Sequence, residues 1–66
     1  MELDTFKIKI MLAERGWSQT KLAEMCGVTR QNISIMLSRG TCYTFTAGKI
    51  AAGLGVHVSE IIKDEK

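Results

Sequence analysis

The sequence predicts an all-α fold of five short helices packed into one compact unit. Three observations carry this. The 66 residues contain no proline, and β-branched residues nowhere alternate with polar ones long enough to make a strand. Gly16, Gly27, Gly40 and Gly55 each follow a stretch of helical apolar spacing, the place where a residue without Cβ most easily takes a left-handed C-cap. A hydrophobic content of 45% in so short a chain allows one core, so a single domain over residues 1–66 is expected. A core of this size depends on tight helix packing or self-association.

The first helix is expected from about Leu3 to Arg15, its spacing marked by Leu3, Phe6 or Lys7, Ile10 and Ala13 or Glu14. Ile8, Met11 and Leu12 widen its apolar side. Ser18 caps a short second helix from Gln19 to Cys26, in which Leu22, Ala23 and Cys26 share a face. Thr29 caps a third through Ser38, burying Ile33, Met36 and Leu37. The fourth follows Thr44 or Thr46 and buries Ala47, Ile50, Ala51 and Leu54. A last turn from Val58 to Lys63 adds Ile61 and Ile62 to the core, and residues 63–66 read as a disordered tail.

Several function classes are excluded on composition. Cys26, Cys42 and the one histidine, His57, cannot supply the three or four ligands of a zinc site, so neither metal nor cofactor is expected. Both thiols are expected to be free in a reducing cytoplasm, since no secretory leader precedes them. No apolar run approaches the length of a membrane span, so no membrane association is expected. No nucleophile–base–acid set can be assembled around His57, and Asp64 with Glu65 is too small an acidic cluster for a nuclease, so an enzyme is not expected. The net charge of +2 is small, but its placement is uneven. Residues 1–16 balance, whereas Lys21, Arg30, Arg39 and Lys49 face only Glu24 between Trp17 and Lys49.

The central stretch, Gln19 to Ser38, reads as two helices joined by a turn too short to let them separate. Leu22, Cys26, Val28, Ile33 and Met36 fall where they close the angle between the helices. Ala23 is small enough for a close crossing, and Gly27 permits the sharp turn. Three segments, Trp17-Ser-Gln-Thr-Lys-Leu-Ala, Gly27-Val-Thr-Arg-Gln-Asn-Ile-Ser and Lys49-Ile-Ala-Ala-Gly-Leu-Gly-Val56, stand in the order and spacing of a known pattern. The chain resembles the phage lambda repressor and Cro-like (Xre-type) family of helix-turn-helix domains, and the likeness covers nearly its whole length.

The resemblance implies a compact five-helix lambda repressor-like domain whose third helix enters the major groove of double-stranded DNA. With Ile33, Met36 and Leu37 inward, Gln31, Ile35 and Ser38 point away, flanked by Asn32 and Ser34, with Thr29 and Arg30 at the tip. Base reading is expected from Thr29, Arg30, Gln31, Ser34 and Ile35. Gln31 suits adenine, Arg30 guanine or a phosphate, and the Ile35 methyls suit a thymine methyl. Backbone contacts are expected from Ser18, Gln19, Thr20, Asn32, Ser38, Arg39, Thr41, Tyr43 and Thr44, with helix N-termini offering free N–H groups to phosphate. The position of Gln19 in the family also braces the recognition helix. A transcriptional regulator follows, a repressor of phage or mobile-element type, acting as a homodimer on an inverted repeat. The family's dimer surface corresponds to His57 to Ile62.

Some positions depart from the family. Where many relatives pair an arginine with a glutamate, this chain has Leu12 and Leu37, and a packed apolar contact between them is expected in place of the ion pair. Glycine in the loop after the third helix stands one residue later than usual, at Gly40. His57 holds the N-cap position of the fifth helix, three residues before Glu60, as an exposed loop residue. Phe45 is expected to cover the core edge or a partner. The alternative reading is a protein-interaction module, antitoxin-like or adaptor, drawing on Trp17, Ile35, Tyr43 and Phe45 as apolar material.

Overall fold

The computed structural model describes residues 1–63. Four α-helices follow one another: α1 (Thr5–Arg15), α2 (Gln19–Cys26), α3 (Arg30–Arg39) and α4 (Thr44–Leu54), then a single 3₁₀ turn, Val58–Glu60. The all-α reading holds, and the fifth element is one tight turn rather than a helix reaching Lys63.

Local chemistry sets most boundaries. The side chains of Asp4, Ser18 and Thr29 accept from the backbone N–H groups of Lys7, Lys21 and Asn32, at 3.1, 3.2 and 3.1 Å, and so cap α1, α2 and α3. All four helices end on a glycine in the left-handed region, with φ between 69° and 77°. The conformation matters most at Gly27, because the chain must reverse there within three residues before α3 begins. α4 differs from expectation at its start. Its N-cap is Tyr43, which makes no side-chain cap bond, so neither Thr44 nor Thr46 takes that role.

α1 begins at Thr5, not Leu3, because the first four residues are claimed by tertiary pairing. Leu3 N–H donates to the Gly40 carbonyl and Asp4 N–H to that of Ile61, while Cys42 and Lys63 donate back to Met1 and Glu2. This extended segment lies between the loop after α3 and the C-terminal turn, and its Leu3 side chain is buried. Lys63 is thus held by backbone bonding. The rest of the expected disordered tail, residues 64–66, lies outside the described residues.

One apolar cluster joins the four helices, the N-terminal Leu3 and the Ile61 that follows the 3₁₀ turn. Ile8 and Leu12 enter it from α1, Leu22, Ala23 and Cys26 from α2, and Ile33 and Met36 from α3. Ile50, Ala51 and Leu54 enter from α4, and Ile61 closes it; Ile62, expected beside it, is half-buried. Each fully buried isoleucine contributes about 1.5–3 kcal/mol by leaving water. The inward side of α1 is therefore Ile8 and Leu12, whereas Phe6 and Ile10, expected to mark the core spacing, face out at 72% and 42% exposure. Leu12 is buried in the cluster and Leu37 packs half-buried at its edge.

Two close approaches lock α4 in place. A Cβ added at Gly53 would lie 2.5 Å from Cys26 Sγ and 3.0 Å from the Met25 carbonyl oxygen, so only glycine lets α2 and α4 come this near. The Arg15 guanidinium donates to the carbonyls of Leu54 (2.8 Å) and Met11 (3.2 Å) and lies over the Trp17 ring at 5.8 Å. It satisfies a carbonyl at the C-terminal end of α4 that the helix itself cannot.

Candidate nucleic-acid interface

The α2–α3 pair is built as a bracket. Gly27 and Val28 N–H groups both donate to the Ala23 carbonyl, at 2.9 and 3.1 Å, which tightens the turn. Ala23 is buried at the crossing, and Ile33 and Met36 hold α3 against the cluster. A helix pinned along one side must show the other. Arg30, Gln31, Asn32, Ile35, Ser38 and Arg39 are exposed, and Thr29 is exposed at the N-terminal tip. Ile35 keeps 42% of its surface in solvent, an apolar group standing in an otherwise polar ridge.

Ser34 is the exception in that ridge. It is half-buried, and its hydroxyl donates to Gln19 Oε1 at 3.0 Å. The proton is committed to α2, so the Ser34 oxygen presents only lone pairs outward. Thr29 and Ser18 have the opposite arrangement, because each hydroxyl oxygen already accepts a cap bond and its proton remains free to donate.

Apart from Asn32, exposed on the first turn of α3, the expected backbone-contacting residues fall in two groups. Ser18 and Thr20 are exposed and Gln19 half-buried at the start of α2. Ser38, Arg39, Thr41, Tyr43 and Thr44 are exposed from the end of α3 to the start of α4. Neither α2, α3 nor α4 carries an acidic residue in its first turn, so the positive ends of the three helices are unneutralised. Without a side-chain cap at Tyr43, the first N–H groups of α4 remain available as donors.

A concavity of about 460 Å³ runs beside α3 and gathers Asn32, Ile35, Arg39, Thr41 and Tyr43. It also brings in Met1 and Thr46. Met1 is not legible from the sequence as a neighbour of α3, since tertiary bonds put it there, from Cys42 N–H to its carbonyl and from Leu3 N–H to the Gly40 carbonyl. Phe45 does not cover the core edge; it is 74% exposed and lies under the Lys49 ammonium at 5.1 Å. His57 is exposed at the N-cap of the 3₁₀ turn without a side-chain cap bond.

Among the described residues, no group of three or more His, Cys, Asp or Glu side chains comes together, and no helix is long and apolar enough to cross a membrane. Cys26 is buried and Cys42 half-buried, and the two thiols are not joined. Burial pushes both thiols above their usual range, at Cys42 against a smaller downward pull from the N-terminal ammonium.

The family model of the Cro/C1-type HTH DNA-binding domain matches residues 7–66. The chain belongs to that family. No curated protein and no solved structure matched it. As a Cro/C1-type domain it belongs to a DNA-binding helix-turn-helix family, and α2 and α3, joined by the tight turn at Gly27, have the form of a helix-turn-helix. No charged or polar residue is buried in this Cro/C1-type domain among the described residues.

Proposed function

We propose that the protein is a sequence-specific transcriptional regulator, a repressor of phage or mobile-element type, that acts in the cytoplasm as a single domain over residues 1–66. α3 enters the major groove of double-stranded DNA, and Thr29, Arg30, Gln31, Ser34 and Ile35 read base edges there. Ser18, Gln19, Thr20, Asn32, Ser38, Arg39, Thr41, Tyr43 and Thr44 hold the phosphate backbone on either side.

One observation carries the reading. Along Arg30 to Arg39, Ile33 and Met36 enter the core, Ser34 and Leu37 are half-buried at the two borders, and Arg30, Gln31, Asn32, Ile35, Ser38 and Arg39 are exposed, on a helix whose phase is further held by Gln19. Gln31 offers a donor and an acceptor for adenine, and Arg30 a fork for guanine. Ser34, with its proton already given to Gln19, accepts from an exocyclic amine. The Ile35 methyls match a thymine methyl, a contact that accounts for an apolar group in such a place.

A domain this small has few phosphate contacts, so tight binding requires two copies on an inverted repeat with half-sites about 34 Å apart. With 6 to 10 phosphate contacts in that dimer, affinity falls roughly 10³ to 10⁵-fold between 50 and 200 mM salt. The test is selection of bound duplexes from a random pool, followed by titration of the winner against salt. A selected inverted repeat with a steep salt slope supports the reading, and no enrichment with a flat slope refutes it. The exposed rings of Tyr43 and Phe45, at 84% and 74%, favour a protein-binding role as the second reading, which the same titration separates.

A further inference from the structure

α1 shows an apolar stripe that the fold leaves uncovered. Ile8 and Leu12 face the core, and at about 100° per residue the opposite side of the helix carries Phe6, Ile10 and Ala13. All three are exposed, Phe6 at 72%. Lys7 and Glu14 are also exposed. They stand on the same edge of that stripe, two helical turns apart, with opposite charge.

We propose that this stripe pairs with the same stripe of a second copy of the chain, the two α1 helices lying antiparallel about a two-fold axis near Ile10. A two-fold contact is isologous, so each residue meets its counterpart related by the axis. Ile10 meets Ile10 at the centre. The bulky Phe6 of one copy lies over the small Ala13 of the other, so large faces small at both ends. Edges of the same kind run together in an antiparallel helix pair, as flanking charges do in coiled coils. Lys7 of each copy therefore faces Glu14 of the other, and the pairing forms two ion pairs. In a parallel pair the Lys7 edge of each copy would instead run beside the opposite edge, which carries the exposed Lys9, setting lysine beside lysine twice with no ion pair. In the antiparallel pair Lys9 meets only its own counterpart near the axis, and the charge pattern therefore favours the antiparallel one.

The patch is well below the roughly 800 Å² per partner of a standard interface, so the association is weak and concentration-dependent. It shares no residue with those proposed to touch DNA, nor with the His57 to Ile62 surface. The pairing itself does not rest on the DNA reading; only its use, coupling domains bound close together, does.

The test is sedimentation equilibrium of the full chain without DNA, at concentrations rising into the millimolar range. The wild type should move towards twice the 7.3 kDa chain mass. Lys7→Glu and Glu14→Lys should each weaken association about tenfold or more, since each sets like charges face to face. Mixing the two variants should restore it. In the mixed pair the introduced acid of one chain faces the introduced base of the other, and the unaltered Glu14 of the first faces the unaltered Lys7 of the second. Both reversals place charge favourably for the helix dipole, and circular dichroism checks that helicity is retained. A wild type that stays monomeric, single variants that associate like it, or a mixture that does not recover would each overturn the proposal.

Discussion

The hydroxyl of Ser34 donates to Oε1 of Gln19 across 3.0 Å, tying the first residue of α2 to the middle of α3. Two helices already joined by a three-residue turn gain a second, distant fastening, and the rotation of α3 about its own axis is set by it. Removing either partner should cost about 0.5–1.5 kcal/mol. In a double-mutant cycle of Gln19→Ala and Ser34→Ala, the second change should cost little once the first is made, as read by urea unfolding. Fully additive losses would mean that the bond contributes nothing to the bracket.

Gly53 is held by space rather than by backbone angle. A Cβ there meets Cys26 Sγ at 2.5 Å and backbone atoms of Cys26 and Met25 at 3.0 Å. Gly53→Ala should therefore destabilise by about 1–3 kcal/mol, despite alanine's better helix propensity. Adding Cys26→Ala should recover only part, because the backbone contacts remain. A stabilised Gly53→Ala protein would mean that α2 and α4 separate freely.

These two relationships show where reading the sequence succeeds and stops. The α2–α3 unit is legible almost to the residue, because Ser18, Gly27, Thr29 and Gly40 act on their immediate neighbours. The phase of α3 follows from Ile33 and Met36. The start of α1 lies two residues later than its spacing predicts, since Leu3 and Asp4 are drawn into bonds with Gly40 and Ile61 that no local period records. α1 also has two apolar sides, and spacing alone does not tell the buried Ile8 and Leu12 from the exposed Phe6 and Ile10. The bond from Arg15 to Leu54 spans most of the chain and leaves no local mark.

Arg15 should behave as a structural clamp. Losing its bonds to the Leu54 and Met11 carbonyls and its place over Trp17 should cost about 1–2 kcal/mol in Arg15→Ala, discounted for its partial exposure. Arg15→Lys should recover little, as an ammonium cannot reach two carbonyls and stack on the indole at once. Thermal unfolding of the two variants decides this, and a lysine variant as stable as the wild type would contradict it.

The thiols give stability a pH dependence of definite sign. Burial raises the Cys26 thiol above its usual range, so the unfolded chain releases that proton at lower pH than the folded one. The stability is fully present below the unfolded value and declines as pH climbs through the folded one. Denaturant unfolding across an alkaline series should show this decline, and Cys26→Ala should lessen it. An unchanged slope in the variant would assign the decline elsewhere.

The central claim is that the outward side of α3 reads bases individually. The most direct measurement is the affinity of wild type and Gln31→Ala for a panel of duplexes, each differing from the selected operator at one base pair. Gln31→Ala should lose about 1–3 kcal/mol on the operator and lose discrimination at one position in each half-site, leaving the others as they were. An equal loss on every duplex, or no loss on any, would contradict the account.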